Sequence, residues 1–158
     1  MFFISPTRGR MTLEETFEDI IAYIGEQPDA QYKLIVGTDS QPHYGVETNF
    51  VTAVIIHRVG KGGRFFYRRE QQRYLQSLRQ RIFYETSLSL EVAGLFSSLL
   101  SENGSVGLNV EIHMDVGVRG DTRDFIREMV GMVAGSGYDA LIKPDSFGAT
   151  KVADKYTK

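Results

Sequence analysis

The chain has no cysteine, three histidines and four prolines, and the first of these shortages excludes the most. Without thiols there is no disulfide, no thiolate zinc site and no cysteine nucleophile. Any metal ion must be held by oxygen or imidazole ligands. Long apolar runs are also missing. Met1 to Ile4 offers three apolar residues after the methionine before Pro6 and Arg8, too few for a signal-peptide core, and no later run nears the ~18 residues of a membrane span. The default expectation is a cytoplasmic protein with no membrane partner. Repeats, low-complexity stretches and linkers are absent too.

What remains is ordinary globular material. At 158 residues the chain suits one domain over 1–158, burying roughly 70% of the surface its unfolded form exposes. Hydrophobic residues make up 42% and charged residues 24%, which excludes disorder, collagen-like repeats and coiled coils. The net charge of -2 hides an asymmetry. Between Arg58 and Arg81, eight basic residues (Arg58, Lys61, Arg64, Arg68, Arg69, Arg73, Arg79 and Arg81) face the single acid Glu70, a segment charge of +7 that leaves -9 for the rest. Such a run is either a solvated hairpin or a phosphate-binding surface.

Thr12 followed by Glu15 forms a capping box, and Leu13, Phe17, Ile20, Ile21 and Ile24 recur at helical spacing. An N-terminal helix is expected over 12–25, ahead of a core over 32–158. Tyr32 to Val36 reads as a first strand ending at Gly37-Thr38-Asp39-Ser40, Phe50 to Val59 as a second and Arg64 to Arg69 as a third. Gly60-Lys61-Gly62-Gly63 is a hairpin turn, lacking the spacing of a phosphate loop. From about Tyr74 to Ser101 no proline intervenes, and Leu75, Leu78, Ile82, Val92, Ala93, Phe96 and Leu100 share one face of a long helix. Leu108 to Asp115 alternates apolar and polar residues as a fourth strand. Asp121 or Thr122 can cap a helix carrying Phe125, Ile126, Met129, Val130 and Val133, closed by Gly135 and Gly137. Tyr138 to Lys143 is a last strand and Ala149 to Lys155 a final helix. This order predicts an α/β domain with a mixed five-stranded sheet flanked by helices: three antiparallel strands, then parallel crossovers.

The acids occupy unusual positions. Asp39 and Asp115 stand at the ends of two apolar strands, where ligands gather in open α/β sheets. Glu85 falls on the packed face of the long helix, where a carboxylate needs a cation, a hydrogen bond or a metal. Arg79, Arg81 or a lysine can serve as that partner, and an aspartate at a strand end can be a simple turn residue. Asp145 and Asp154 follow near the C-terminus. Clustered oxygen ligands with few histidines suit Mg²⁺ or Mn²⁺. His113 shares a strand face with Asp115 and is better placed as a core or supporting residue than as a ligand. Ser40, Ser87 and Ser89 have no recognisable His–Asp partnership.

The order of a strand with Gly37-Thr38-Asp39-Ser40, hairpin strands, a helix with Glu85, a strand with His113-Met114-Asp115 and a C-terminal helix with Asp154 resembles the ribonuclease H-like fold. More narrowly, Gly37-Thr38-Asp39-Ser40-Gln41, Gly60-Lys61-Gly62-Gly63-Arg64, Glu85-Thr86-Ser87-Leu88-Ser89-Leu90-Glu91 and Lys143-Pro144-Asp145-Ser146 resemble the bacterial YkuK-like family. The resemblance runs from about Thr12 to Lys158. It implies Asp39, Glu85, Asp115 and Asp154 as catalytic metal ligands, with Asp145 an alternative fourth ligand. Ser40, His113 and Lys143 become auxiliary. Asp145 stands where ribonucleases H often carry a histidine.

The expected activity is hydrolysis of RNA or DNA phosphodiesters with two Mg²⁺ or Mn²⁺ ions. Arg58, Lys61, Arg64, Arg68, Arg69 and Arg73 would hold the backbone of RNA, an RNA–DNA hybrid or DNA without reading sequence. The alternative is an inactive nucleic-acid-binding module of the same fold. Nothing in the sequence sets the oligomeric state.

Overall fold

The computed structural model describes residues 1–104, 108–117, 120–146 and 148–157, excluding the side chains at 121 and 150. The elements run β1 (Phe2–Ser5), β2 (Gly9–Thr12), α1 (Leu13–Glu26), β3 (Tyr32–His43), β4 (Glu47–Arg58), β5 (Gly63–Arg73), α2 (Leu78–Glu102), β6 (Asn109–His113), α3 (Arg123–Gly135), β7 (Asp139–Leu141) and α4 (Gly148–Thr157), with a 3-10 turn at Gly120–Thr122. Among the described residues these strands form one sheet in the order β2-β1-β5-β4-β3-β6-β7. β3, β4 and β5 are antiparallel neighbours, and β6 and β7 run parallel to β3.

The sheet is mixed and helix-covered as expected, but it has seven strands where five were predicted. The extra pair is the N-terminal hairpin β1–β2, which joins the β5 edge through Ile4 and Tyr67. Four-residue strands carry too little alternation to register as a pattern. The capping box at Thr12 and Glu15 forms as read, each side chain bonding the other's backbone N–H.

Strand periodicity divides the core in two. Leu34 and Val36 of β3 join Val54, Ile112 and Phe66 beneath α1, α2 and α3, whose Ile20, Tyr23, Val92, Phe96, Met129 and Val133 complete the larger cluster. The intervening Ile35, with Val51, Ala53 and Tyr67, packs on the opposite face against Ala149 and Ala153 of α4. Both faces of the central strands are therefore dry, which explains their continuous apolar runs. At the β4–β5 turn Gly60 and Gly62 have φ of 78° and 91°. A Cβ on Gly63 would sit 2.7 Å from the Ile56 carbonyl, so the turn needs glycine at both kinds of position.

Several boundaries differ from the sequence reading. β3 continues to His43, so Asp39 lies inside the strand and not at its end. β6 stops at His113, leaving Asp115 beyond it. α2 begins at Leu78, so Leu75 sits ahead of the helix; it is buried with Phe50 and Leu88, while Leu78 is 51% exposed. Thr122 occupies the N-cap position of α3 without a side-chain cap bond. The alternative cap, the Asp121 side chain, lies outside the described residues. The polar face of β6 is only partly solvated: Asn109 is exposed, but Glu111 and His113 are buried. No helix among the described residues is long and apolar enough to cross a membrane.

Candidate metal centre

The register of β3 with β6 sets two aspartates level with each other. The last parallel pair is Gly37 with His113, and Asp39 and Asp115 each stand two residues farther on. Alternation points Asp39 to the α4 side, with Ile35, and Ser40 to the α2 side. The Ser40 hydroxyl donates to Oε2 of Glu85. Two residues earlier, Thr38 Oγ1 lies 2.8 Å from Ser89 Oγ and 3.0 Å from Thr52 Oγ1. Two strand residues advance about 6.6 Å and one four-residue helical step about 6 Å, so Thr38 and Ser40 can engage Ser89 and Glu85 together. That match is why Glu85 is aimed at the end of the sheet.

Asp154 arrives from α4 on the other face and shares a side-chain hydrogen bond with Asp39. Two carboxyl groups can do so only if one holds a proton. Asp39 is half-buried. Loss of solvent raises its pKa most, and the Asp154 hydrogen bond and the charges of Asp115 and Asp154 raise it further, while the Ser40 backbone N–H works against them; the result is pushed up to about 7. Glu85 is pushed up to about 8, first by burial and then by Asp39 and Asp115, with the Ser40 hydroxyl and Arg81 opposing. Of the partners considered from sequence for Glu85, Arg81 is the one that acts on it. Asp115 is exposed and paired with Lys143 at 3.1 Å. Glu85, Asp115, Thr38, Ile82 and Thr86 border a cavity of about 10 Å³, close to the room one water needs.

Four acids from β3, α2, the segment after β6 and α4 are thus linked electrostatically through Asp39, and two of them have pKa values raised to near neutrality. The donor set is all oxygen, which suits a hard divalent cation. Among the described residues, however, no three acids or histidines stand together as a ready-made metal cage. Asp145 is exposed in the turn before α4, its backbone N–H bonded to the Ile142 carbonyl. The C-terminal acid that reaches Asp39 is Asp154.

His113 belongs to a buried polar row that the sequence reading missed. Its Nε2 lies 3.0 Å from Glu111, which is 2.9 Å from Lys33. These contacts lower the Glu111 pKa despite the opposing effect of burial. Among the described residues His113 Nδ1 is buried without a hydrogen-bond partner, against Gly148 at the start of α4. From the sequence, Glu111 is legible only as a polar residue of an alternating strand, and nothing singles out Lys33.

The six basic residues expected to hold a nucleic acid separate into two groups. Arg58 is buried: its Nη2 donates to the Tyr23 carbonyl at 2.9 Å, its Nε to the Tyr32 hydroxyl at 3.0 Å, and its guanidinium lies 4.0 Å from the Tyr23 ring centre. The Tyr32 hydrogen bond is the main reason its pKa is raised. Arg64 pairs with Asp19 and Glu26. Lys61 is exposed in the turn at the far end of the sheet. Arg69 stands at the other end, in register with Val51 and through it with Asp39. Its Nε donates to the Tyr156 carbonyl at 3.2 Å. Arg68 pairs with Glu70 at 3.2 Å, and Arg73 is exposed at the end of β5.

Compared with known proteins, residues 15–158 match the family described as Ribonuclease H-like. The chain belongs to the ribonuclease H-like family. A relative in Bacillus subtilis (strain 168), described as the uncharacterized protein YkuK, is 35% identical over 167 residues, covering 99% of this chain and 96% of that protein. This ribonuclease H-like chain is therefore YkuK-like over nearly its whole length. No solved structure matches it.

Proposed function

We propose that the chain is a metal-dependent nuclease that hydrolyses RNA or DNA phosphodiesters with two divalent ions, Mg²⁺ or Mn²⁺, held by Asp39, Glu85, Asp115 and Asp154. One observation carries the reading: burial first, then the charges of Asp115 and Asp154 on Asp39 and of Asp39 and Asp115 on Glu85, push these two acids up to about 7 and about 8. Gathering like charges in a partly buried site costs stability unless a cation joins them. Carboxylates perturbed in this way mark functional sites, and they lie where open α/β sheets bind ligands.

Bound there, the ions would polarise the phosphodiester and lower the pKa of an attacking water. The chain's own groups have separable tasks. Asp39 is the common neighbour of Glu85 and Asp154 and serves as the central ligand. Ser40 orients Glu85 by donating to it, and Lys143 restrains Asp115. Near neutral pH Asp39 and Glu85 retain protons, which leave as a cation enters. Arg69 and Arg73 lie at the same end of the sheet and hold phosphates without reading bases.

The test is Mg²⁺- or Mn²⁺-dependent cleavage of a panel containing RNA, RNA–DNA hybrid, single-stranded DNA and junctions. Asp39→Asn should lose about a hundredfold or more, since it removes a ligand worth several kcal/mol of charge stabilisation. Equal rates in wild type and Asp39→Asn would sink the nuclease reading. The absence of a ready-made cage among the described residues favours a second reading, an inactive nucleic-acid-binding module. Salt-sensitive binding with no cation-dependent turnover is its signature.

A further inference from the structure

We infer that an aromatic cavity at the start of α2 seats an unpaired nucleobase, so that the strand bound beside the carboxylates is single-stranded. This rests on the nucleic-acid reading above and adds the class of substrate. The cavity has a volume of about 320 Å³, with Leu75, Phe83, Tyr84 and Phe125 as its apolar walls and Arg73 and Arg79 beside them. That volume lies within the range of small-ligand sites. Phe83 lines the cavity and remains 49% exposed, while Tyr84 is backed by Phe50 at 4.9 Å between ring centres. Arg79 lies over the Phe125 ring at 5.4 Å.

Charge selects the occupant. Among the described residues, two arginines and no carboxylate line the cavity, which fits an anionic ligand with a flat π-face and gives an uncharged apolar peptide no use for the cations. Aromatic walls flanked by arginines are how proteins hold single strands, because every base has a face to stack. A duplex keeps those faces inside its own stack. Position agrees as well. Phe50 pairs with Ser40 in the sheet, and Ser40 holds Glu85, so one layer of side chains separates the cavity from the centre.

The test is anisotropy of the full chain, in chelator, with a labelled single strand of about twelve nucleotides, the same strand made abasic, and a blunt duplex. The intact strand should bind tightest. Phe83→Ala should weaken it by about 5- to 100-fold and leave the abasic strand unaffected. Phe83→Leu keeps the apolar volume without the π-face and should fail likewise, whereas Phe83→Tyr should retain binding. Equal affinity for intact and abasic strands overturns the inference, as does a dimer in sedimentation that Phe83→Ala dissolves. Base-independent binding with cleavage that Asp39→Asn abolishes removes this inference and leaves the nuclease reading standing. Base-dependent binding with no cleavage does the reverse.

Discussion

Two regions of this protein concentrate charge of one sign, and they resolve it in opposite ways. The β4–β5 hairpin and the segment after it look dense with cations, yet Arg58, Arg64 and Arg68 are each matched inside the fold, to tyrosines and the Tyr23 carbonyl, to Asp19 and Glu26, and to Glu70. The acids look scattered in sequence, over more than a hundred residues, yet the fold brings them together. Lys143 meets Asp115 and Arg81 acts on Glu85, but Asp39 and Glu85 remain pushed up toward neutrality. A charge run along a chain says little about the field it makes; what counts is which partners the topology supplies. The matched region is structural, and the unmatched one is the candidate site.

The comparison breaks most sharply on stability. Arg64→Ala leaves the Asp19 side chain, 2% exposed, with only the more distant Arg8 at 3.8 Å of the two arginines that pair it; losing the nearer partner of a buried carboxylate costs about 3 kcal/mol, the low end for a broken buried pair. The midpoint of thermal unfolding should fall by about 6 to 12 °C for a chain of this size. If Arg64→Ala melts with wild type, the hairpin is not internally matched and the contrast fails.

A divalent cation should act on the other region alone. Binding to the folded state at a hundredfold excess over Kd adds about 2.7 kcal/mol, so Mn²⁺ or Mg²⁺ should raise the wild-type melting point and leave Asp39→Asn nearly unmoved. An equal rise in both proteins would place the cation elsewhere. Without the cation, pH carries the same information. Asp39 and Glu85 have folded pKa values near 7 and 8, above the ordinary 3.8 and 4.5, so the folded state holds more protons than the unfolded one between about pH 4 and 8. Stability in chelator must therefore fall as pH rises through that window. Glu85→Gln keeps an acceptor for Ser40 and removes the charge. Its melting point should exceed that of wild type only slightly at pH 5 and by a margin that widens as pH rises to 8; a lower melting point at pH 8 would mean that Glu85 is already compensated.

The same division explains what was legible in the sequence. The central strands announced themselves through apolar runs, because both their faces are covered. The capping box and the glycine turn are local and were read correctly. Asp39, Glu85 and Asp115 stood out because acids rarely sit among apolar residues at strand ends or on a packed helix face. Partners 26 to 45 residues away, such as Tyr32 for Arg58 and Asp19 for Arg64, leave no local trace. Nor does the burial of Glu111 and His113, since alternation reveals two chemically distinct faces and not which of them a later helix will cover. Asp39 looked like a strand end because the apolar run stops there, although β3 continues beside β4 alone.

Within the basic group, the smallest effects discriminate best. Lys61 and Arg73 are both exposed and neither supports the core, so their alanine variants should melt with wild type. They differ in place. Lys61 sits in the turn at one end of β5 and Arg73 at the other, the end that Arg69 shares with Asp39. Arg73→Ala should weaken nucleic-acid binding equally across sequences and lower the slope of log affinity against log salt by about one. Lys61→Ala should leave that slope unchanged, because ten strand residues put it about 33 Å away, several Debye lengths at physiological salt. Equal slopes for the two variants would extend the phosphate track along the whole hairpin and return it to the continuous basic surface that the sequence suggests.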